Sequence, residues 1–227
     1  QGFGCKRVVQ MAQFQPGDTL FFKNAASNIW CPGLAKGQDE DGKLTIHFLC
    51  EKGQREATVL PEHIKDFVRK EPIPELKADD LVQVWSVSQS KLVDSSVMQV
   101  ATENVTVDAN GTDRVMKPGS VQVQFQTKDG LGFKWIEPDN IPLYLMKVPA
   151  VEQTFAHNDV VSSWYRKECL WKPAVVVEVL KEAKNGQEKG AVKVKYESGT
   201  EWVRADLVST HLKKDGQKPP TGSCTIC

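Results

Sequence analysis

Asp159-Val-Val-Ser-Ser-Trp-Tyr165, then Trp171-Lys-Pro-Ala-Val-Val-Val-Glu-Val179, then Val192-Lys-Val-Lys-Tyr196, then Gly199-Thr-Glu-Trp-Val-Arg-Ala-Asp-Leu207 read as one β-type unit. Val192, Val194 and Tyr196 alternate with Lys193 and Lys195, which gives a strand one apolar face and one wet face.

The unit occurs three times along the 227 residues. The first copy has Asp18-Thr-Leu-Phe-Phe22, Trp30-Cys-Pro-Gly-Leu-Ala35, Leu44-Thr-Ile-His-Phe48 and Thr58-Val-Leu-Pro-Glu-His-Ile64. Twelve residues separate Asp18 from Trp30, and twelve separate Asp159 from Trp171. The middle copy has Asp80-Leu-Val-Gln-Val-Trp85, Val93-Asp-Ser-Ser-Val-Met-Gln-Val100, Val121-Gln-Val-Gln-Phe125 and Gly132-Phe-Lys-Trp-Ile-Glu-Pro-Asp-Asn-Ile141. Phe48 to Ile64 and Phe125 to Ile141 are both sixteen residues apart. The middle copy carries an insert around Glu103 to Lys117, and its outward Gln122 and Gln124 are expected to be wet.

Asp-Gly and Asn-Gly pairs mark tight hairpins, because their residues tolerate positive φ. They occur in Glu40-Asp-Gly42, Ala109-Asn-Gly-Thr112, Lys128-Asp-Gly130 and Lys184-Asn-Gly186. Asp18, Asp80 and Asp159 are expected to hold a turn through their carboxylates. Glu71-Pro-Ile-Pro-Glu75 and Val148-Pro-Ala-Val-Glu152 read as short stiff linkers. The predicted chain is all-β, with barrels at 14–69, 76–147 and 154–212 and a disordered tail at 213–227. Each sheet of four or five strands is expected to close, since closure removes its edges.

Lys and Arg (29) balance Asp and Glu (29), which argues against a protein whose main work is coating a phosphate backbone. No apolar run approaches the roughly 18 residues of a membrane span. Gln1 is not an initiator, so the chain reads as a fragment or processed product. Cys5, Cys31, Cys50, Cys169, Cys224 and Cys227 are too scattered for a disulfide framework and read as reduced, intracellular and structural. The terminal Cys224-x-x-Cys227 falls in the tail, and the sequons at Asn104 and Asn110 matter only in a secreted protein. No catalytic motif or cofactor loop stands out, so no enzyme activity and no cofactor or metal is expected.

The third copy resembles a Tudor or Agenet repeat of the Royal superfamily. The likeness rests on its opening Asp159, the Trp164-Tyr165 pair, Trp171-Lys-Pro-Ala-Val-Val, Val-x-Val-x-Tyr196 and Gly199-x-Glu-Trp-Val. It extends more weakly to the first two copies through the internal repeat. The resemblance implies small SH3-like barrels and a nuclear, non-enzymatic reader of a methylated lysine or arginine in a histone tail or other modified peptide. Such a reader gathers aromatic rings around the methylammonium, each good cation-π contact contributing about 0.5 to 2 kcal/mol. By the family pattern Tyr165, Trp171 and Tyr196 supply the rings and Glu197 or Glu201 the acid, with Phe133 and Trp135 as aromatic candidates of the second copy. Lys172 stands where the family has a tyrosine.

The recurring tryptophans fit core packing as readily as recognition. The hydroxyls of Tyr165 and Tyr196 are expected to place those rings at a wet edge. DNA or RNA is the rival ligand, through Lys181, Lys184, Lys189, Lys193, Lys195 and Arg204, but Glu178, Glu182, Glu188, Glu197 and Glu201 interleave with them. A structural adaptor that docks peptides without a methyl mark is the third reading.

Overall fold

The protein is seen in a computed structural model that describes residues 14–214, apart from 26–27, 51–52, 71, 73–74, 88, 90 and 109–112. It is an all-β chain of three five-stranded antiparallel sheets. The first holds β1 (Thr19–Asn24), β2 (Ile29–Gln38), β3 (Leu44–Cys50), β4 (Gly53–Val59), the one-turn helix α1 (Ile64–Phe67) and β5 (Val68–Arg69). The second holds β6 (Leu81–Ser86), β7 (Lys91–Val100), a separate hairpin of β8 (Val105–Asp108) and β9 (Asp113–Met116), then β10 (Val121–Thr127), β11 (Gly130–Ile136), α2 (Ile141–Tyr144) and β12 (Leu145–Lys147). The third holds β13 (Val160–Tyr165), β14 (Leu170–Val179), β15 (Val192–Tyr196), β16 (Gly199–Val203), α3 (Val208–His211) and β17 (Leu212–Lys214).

One strand order serves all three: β4-β3-β2-β1-β5, β11-β10-β7-β6-β12 and β16-β15-β14-β13-β17. Each is a four-stranded meander whose short last strand returns to pair with the first. No pairing joins the fourth strand to the fifth, so the expected hydrogen-bonded closure is not formed. All five strands of a sheet nevertheless feed one core. In the first, Leu20, Ala35, Ile46, Val59 and Val68 share a cluster, which requires the sheet to bend over its own face. A bulge supplies the bend at the same place in each copy, where Lys36, Met98 and Val177 are skipped in the register.

The three aspartates hold their turns as expected. Asp18, Asp80 and Asp159 each accept the backbone N–H three residues earlier, from Gln15 (2.8 Å), Lys77 (3.0 Å) and Ala156 (2.8 Å). The same carboxylates bind the lysine at or just beyond the last strand, Lys70 (2.7 Å), Lys147 (2.8 Å) and Lys214 (2.9 Å). Lysine hydrogen bonding holds the Asp18 and Asp159 carboxyls below the usual range. The residues before them, Gly17, Asp79 and Asn158, all have positive φ.

Three expectations are corrected. Gln124 is buried rather than wet, because the third copy covers it. Val148–Glu152, read as a short stiff linker, is packed against the fold: Val148 is buried and donates its N–H to the Leu81 carbonyl, and the Val151 N–H reaches the Ser209 carbonyl. Lys213 and Lys214 belong to β17, not to a tail. The 109–112 turn and the Cys224-x-x-Cys227 motif lie outside the described residues.

Candidate functional site: the junction of the second and third sheets

Trp164 and Tyr165 are neighbours on β13, so the period of two sends their rings to opposite faces. Tyr165 turns inward. Its ring lies 5.2 Å from that of Tyr196, edge to face, and Lys172 Nζ sits 4.3 Å above it. Tyr196 is buried, not at a wet edge: its hydroxyl shares a 2.8 Å hydrogen bond with Ser163 Oγ, and burial raises its pKa. Buried phenols need one partner, and Ser163 provides it inside the core.

Trp164 turns outward with its cross-strand partner Trp171, ring centroids 5.6 Å apart. Both indoles reach the second sheet, where Trp164 Nε1 donates to Ser96 Oγ (2.7 Å) and Trp171 Nε1 to Asp94 Oδ2 (2.8 Å). Gln83 Nε2 donates to the other Asp94 oxygen (3.0 Å). Leu81, Val148, Trp164 and Cys169 make a buried cluster between the sheets. The Cys169 thiol donates to the Gln124 carbonyl (3.4 Å), and burial pushes its pKa up to about 11.

An ion network closes the far side. Asp79 pairs with Arg166 and with Arg204 (3.0 Å), Arg204 also holds Asp206 (3.2 Å), and Lys77 reaches Asp206 (3.1 Å). His211 is buried, and desolvation lowers its pKa to about 4 against the pull of Asp79 and Asp80.

Beside the indoles lies a groove of about 480 Å³. Trp164, Trp171, Leu92 and Leu170 give it an apolar lining, Gln83, Gln89 and Gln126 supply amides, and Lys91 and Lys128 border it. Leu170 is exposed.

The proposed aromatic set therefore divides. Tyr165 and Tyr196 meet in the core of the third sheet, and Trp171 stands on the opposite face. Glu197 and Glu201 are exposed on the β15–β16 hairpin. Phe133 (exposed) and Trp135 (half-buried) lie on β11 of the second sheet. Lys213 Nζ sits 3.4 Å over Trp171, and Arg69 sits 4.0 Å over Trp30, the equivalent tryptophan of the first copy. A cation from the return strand on the second strand's tryptophan is thus a repeated packing device. In the second copy Leu92 takes the tryptophan's place.

Asp94, Ser96 and Leu170 were not singled out by sequence, and Trp164 and Cys169 were read only as part of the family likeness and as a structural thiol. Their one signal is Trp164 itself, an outward tryptophan where the first copy has Lys23. No protein-family model matches the chain, and no curated protein is measurably similar to it.

Proposed function

We propose that the chain is a non-enzymatic binding protein that holds a peptide of a partner protein in the groove between its second and third sheets. Each sheet is read as a small SH3-like unit of Tudor type. The observation that carries the reading is the groove: indole rings, leucines and side-chain amides line it, and its walls come from two sheets joined through Trp164 and Trp171. Such a preformed cleft with a few oriented polar groups is the usual form of a ligand site. The strongly shifted groups, His211 and Cys169, are both buried, and the Cys169 thiol, at the lining of the groove, is engaged with the Gln124 carbonyl.

A second reading, recognition of a methylated lysine or arginine in a nuclear protein, is favoured by one contact. The Lys213 ammonium over Trp171 supports a cation-binding role for this indole, with Asp94 beside it. The rings of the third copy already carry the chain's own lysines, which favours the unmodified peptide.

An array of unmodified and methylated peptides, probed with the intact chain and with Leu170→Asp, separates the readings. Binding of unmodified peptides that falls about tenfold in Leu170→Asp is expected. Binding confined to methylated peptides selects the second reading. Preference for an oligonucleotide, lost steeply as salt rises from about 50 to 200 mM, overturns both.

A further inference from the structure

Six strands end the three sheets, and proteins blunt such edges with short strands, charges, proline or bulges. β5, β12 and β17 have only two or three residues. β4 carries Arg55 and Glu56, the latter held by Lys36, and β16 carries the exposed Glu201. β11 has least of these devices. It runs Gly130-Leu-Gly-Phe-Lys-Trp-Ile136 without proline, and its one charge, Lys134, lies 4.2 Å above the Tyr144 ring.

The β10–β11 hairpin closes on the pair Thr127 and Gly130 around a two-residue turn. Antiparallel alternation then directs the N–H and C=O groups of Leu131, Phe133 and Trp135 away from β10, toward the open edge. The same residues share the outer face, where Leu131 is 40% and Phe133 56% exposed. The third sheet's β13–β14 hairpin covers this face as far as β10, where Cys169 meets Gln124, the residue opposite Phe133. Coverage stops one strand short of the edge, and the exposed Leu170 marks its limit.

The charge around this strip is unevenly matched. Lys91 and Lys128 have no ion-pair partner among the described residues, while Asp94 is taken by neutral donors and Glu137 by Arg114. Asp129, at the hairpin tip, is the acid beside them.

We infer that β11 accepts an extended segment of a partner protein as an added strand, with apolar residues at alternate positions packed on Leu131, Phe133 and Leu170 and acidic residues at the end that lies beside Lys91 and Lys128. Main-chain bonds give such an addition its affinity and the alternate side chains its selectivity. The inference rests on the peptide-binding reading and names the partner's chemistry.

The probe is the consensus peptide from a phage-displayed random library selected on the intact chain. The expected consensus has apolar residues at every second position and acidic residues at one end. Phe133→Pro removes an N–H that faces away from β10, a position edge strands tolerate, so affinity falls at least about tenfold while melting is unchanged. A peptide weakened by Leu170→Asp but not by Phe133→Pro overturns strand addition and leaves the groove standing. A basic consensus, or a library that yields no binder, overturns the inference. Should Phe133→Pro melt early, hydrogen exchange in the unaltered chain decides. The amides of Leu131, Phe133 and Trp135 slow when the peptide is added while that of Lys134 does not, and unchanged exchange at the first three overturns the proposal.

Discussion

Trp164 Nε1 donates to Ser96 Oγ across 2.7 Å, joining residues that are 68 apart in sequence and both almost wholly buried. The bond welds the third sheet to the outer face of the second, and its loss is costly in two distinguishable ways. Trp164→Phe keeps a ring but leaves Ser96 without its donor, which costs about 1 to 3 kcal/mol. Trp164→Ala empties the junction and costs about 3 to 5 kcal/mol. Urea unfolding measures both, and in Trp164→Ala the second and third sheets are expected to unfold in separate transitions.

The three aspartate-lysine pairs share a geometry but not an environment. The Asp80 side chain is 8% exposed, against 22% for Asp18 and 26% for Asp159. Asp80→Asn is expected to cost about 1 to 3 kcal/mol, because Lys147 and the Lys77 N–H lose a buried charged acceptor. Asp18→Asn and Asp159→Asn, in water, are expected to change stability much less. Thermal melting of the three variants ranks them.

His211 makes stability fall in mild acid. Its folded pKa of about 4 lies below the ordinary imidazole value of 6.5, so the unfolded chain takes up a proton that the folded chain refuses. Stability is complete above about pH 6.5 and declines as pH falls toward 4. A shift of that size is worth roughly 3 kcal/mol. Unfolding free energies measured across this range, with His211→Leu as control, show whether the slope belongs to this imidazole.

The Cys169 thiol is expected to resist alkylation. Burial raises its pKa to about 11, so little thiolate exists near pH 8, and the sulfur is covered. In a variant lacking Cys5, Cys224 and Cys227, the buried Cys31, Cys50 and Cys169 should react with iodoacetamide only on unfolding. Rapid labelling in the native state would show that the junction opens.

Gly53 has φ of 92°, and a Cβ there would lie 2.8 Å from the Trp85 ring, where the first sheet meets the second. Gly53→Ala is expected to destabilise by more than about 1 kcal/mol. Adding Trp85→Ala should relieve the clash but not the backbone strain, so calorimetry of the single and double variants divides the two.

The repeated strands and the turn aspartates were legible because each leaves a local trace: Val192-Lys-Val-Lys-Tyr196 alternates visibly, and Asp159 acts on a neighbour three residues away. The junction was not. Ser96, Gln124 and Asp94 are polar or small, so no apolar periodicity announces that a second sheet covers them. The hydroxyl of Tyr196 suggested water, yet Ser163, two strands away on β13, satisfies it across the core. Trp171 read as a cage residue because sequence shows its spacing and not its face. The bulges at Lys36, Met98 and Val177 are register events with no residue signature.

In each sheet the first and last strands are antiparallel neighbours, so the chain enters and leaves at the same end, where Asp18 meets Lys70, Asp80 meets Lys147 and Asp159 meets Lys214. Tension applied through the chain therefore does not shear the ladder as a block. It peels the return strand away bond by bond, and the first link to bear the load is the aspartate-lysine clasp.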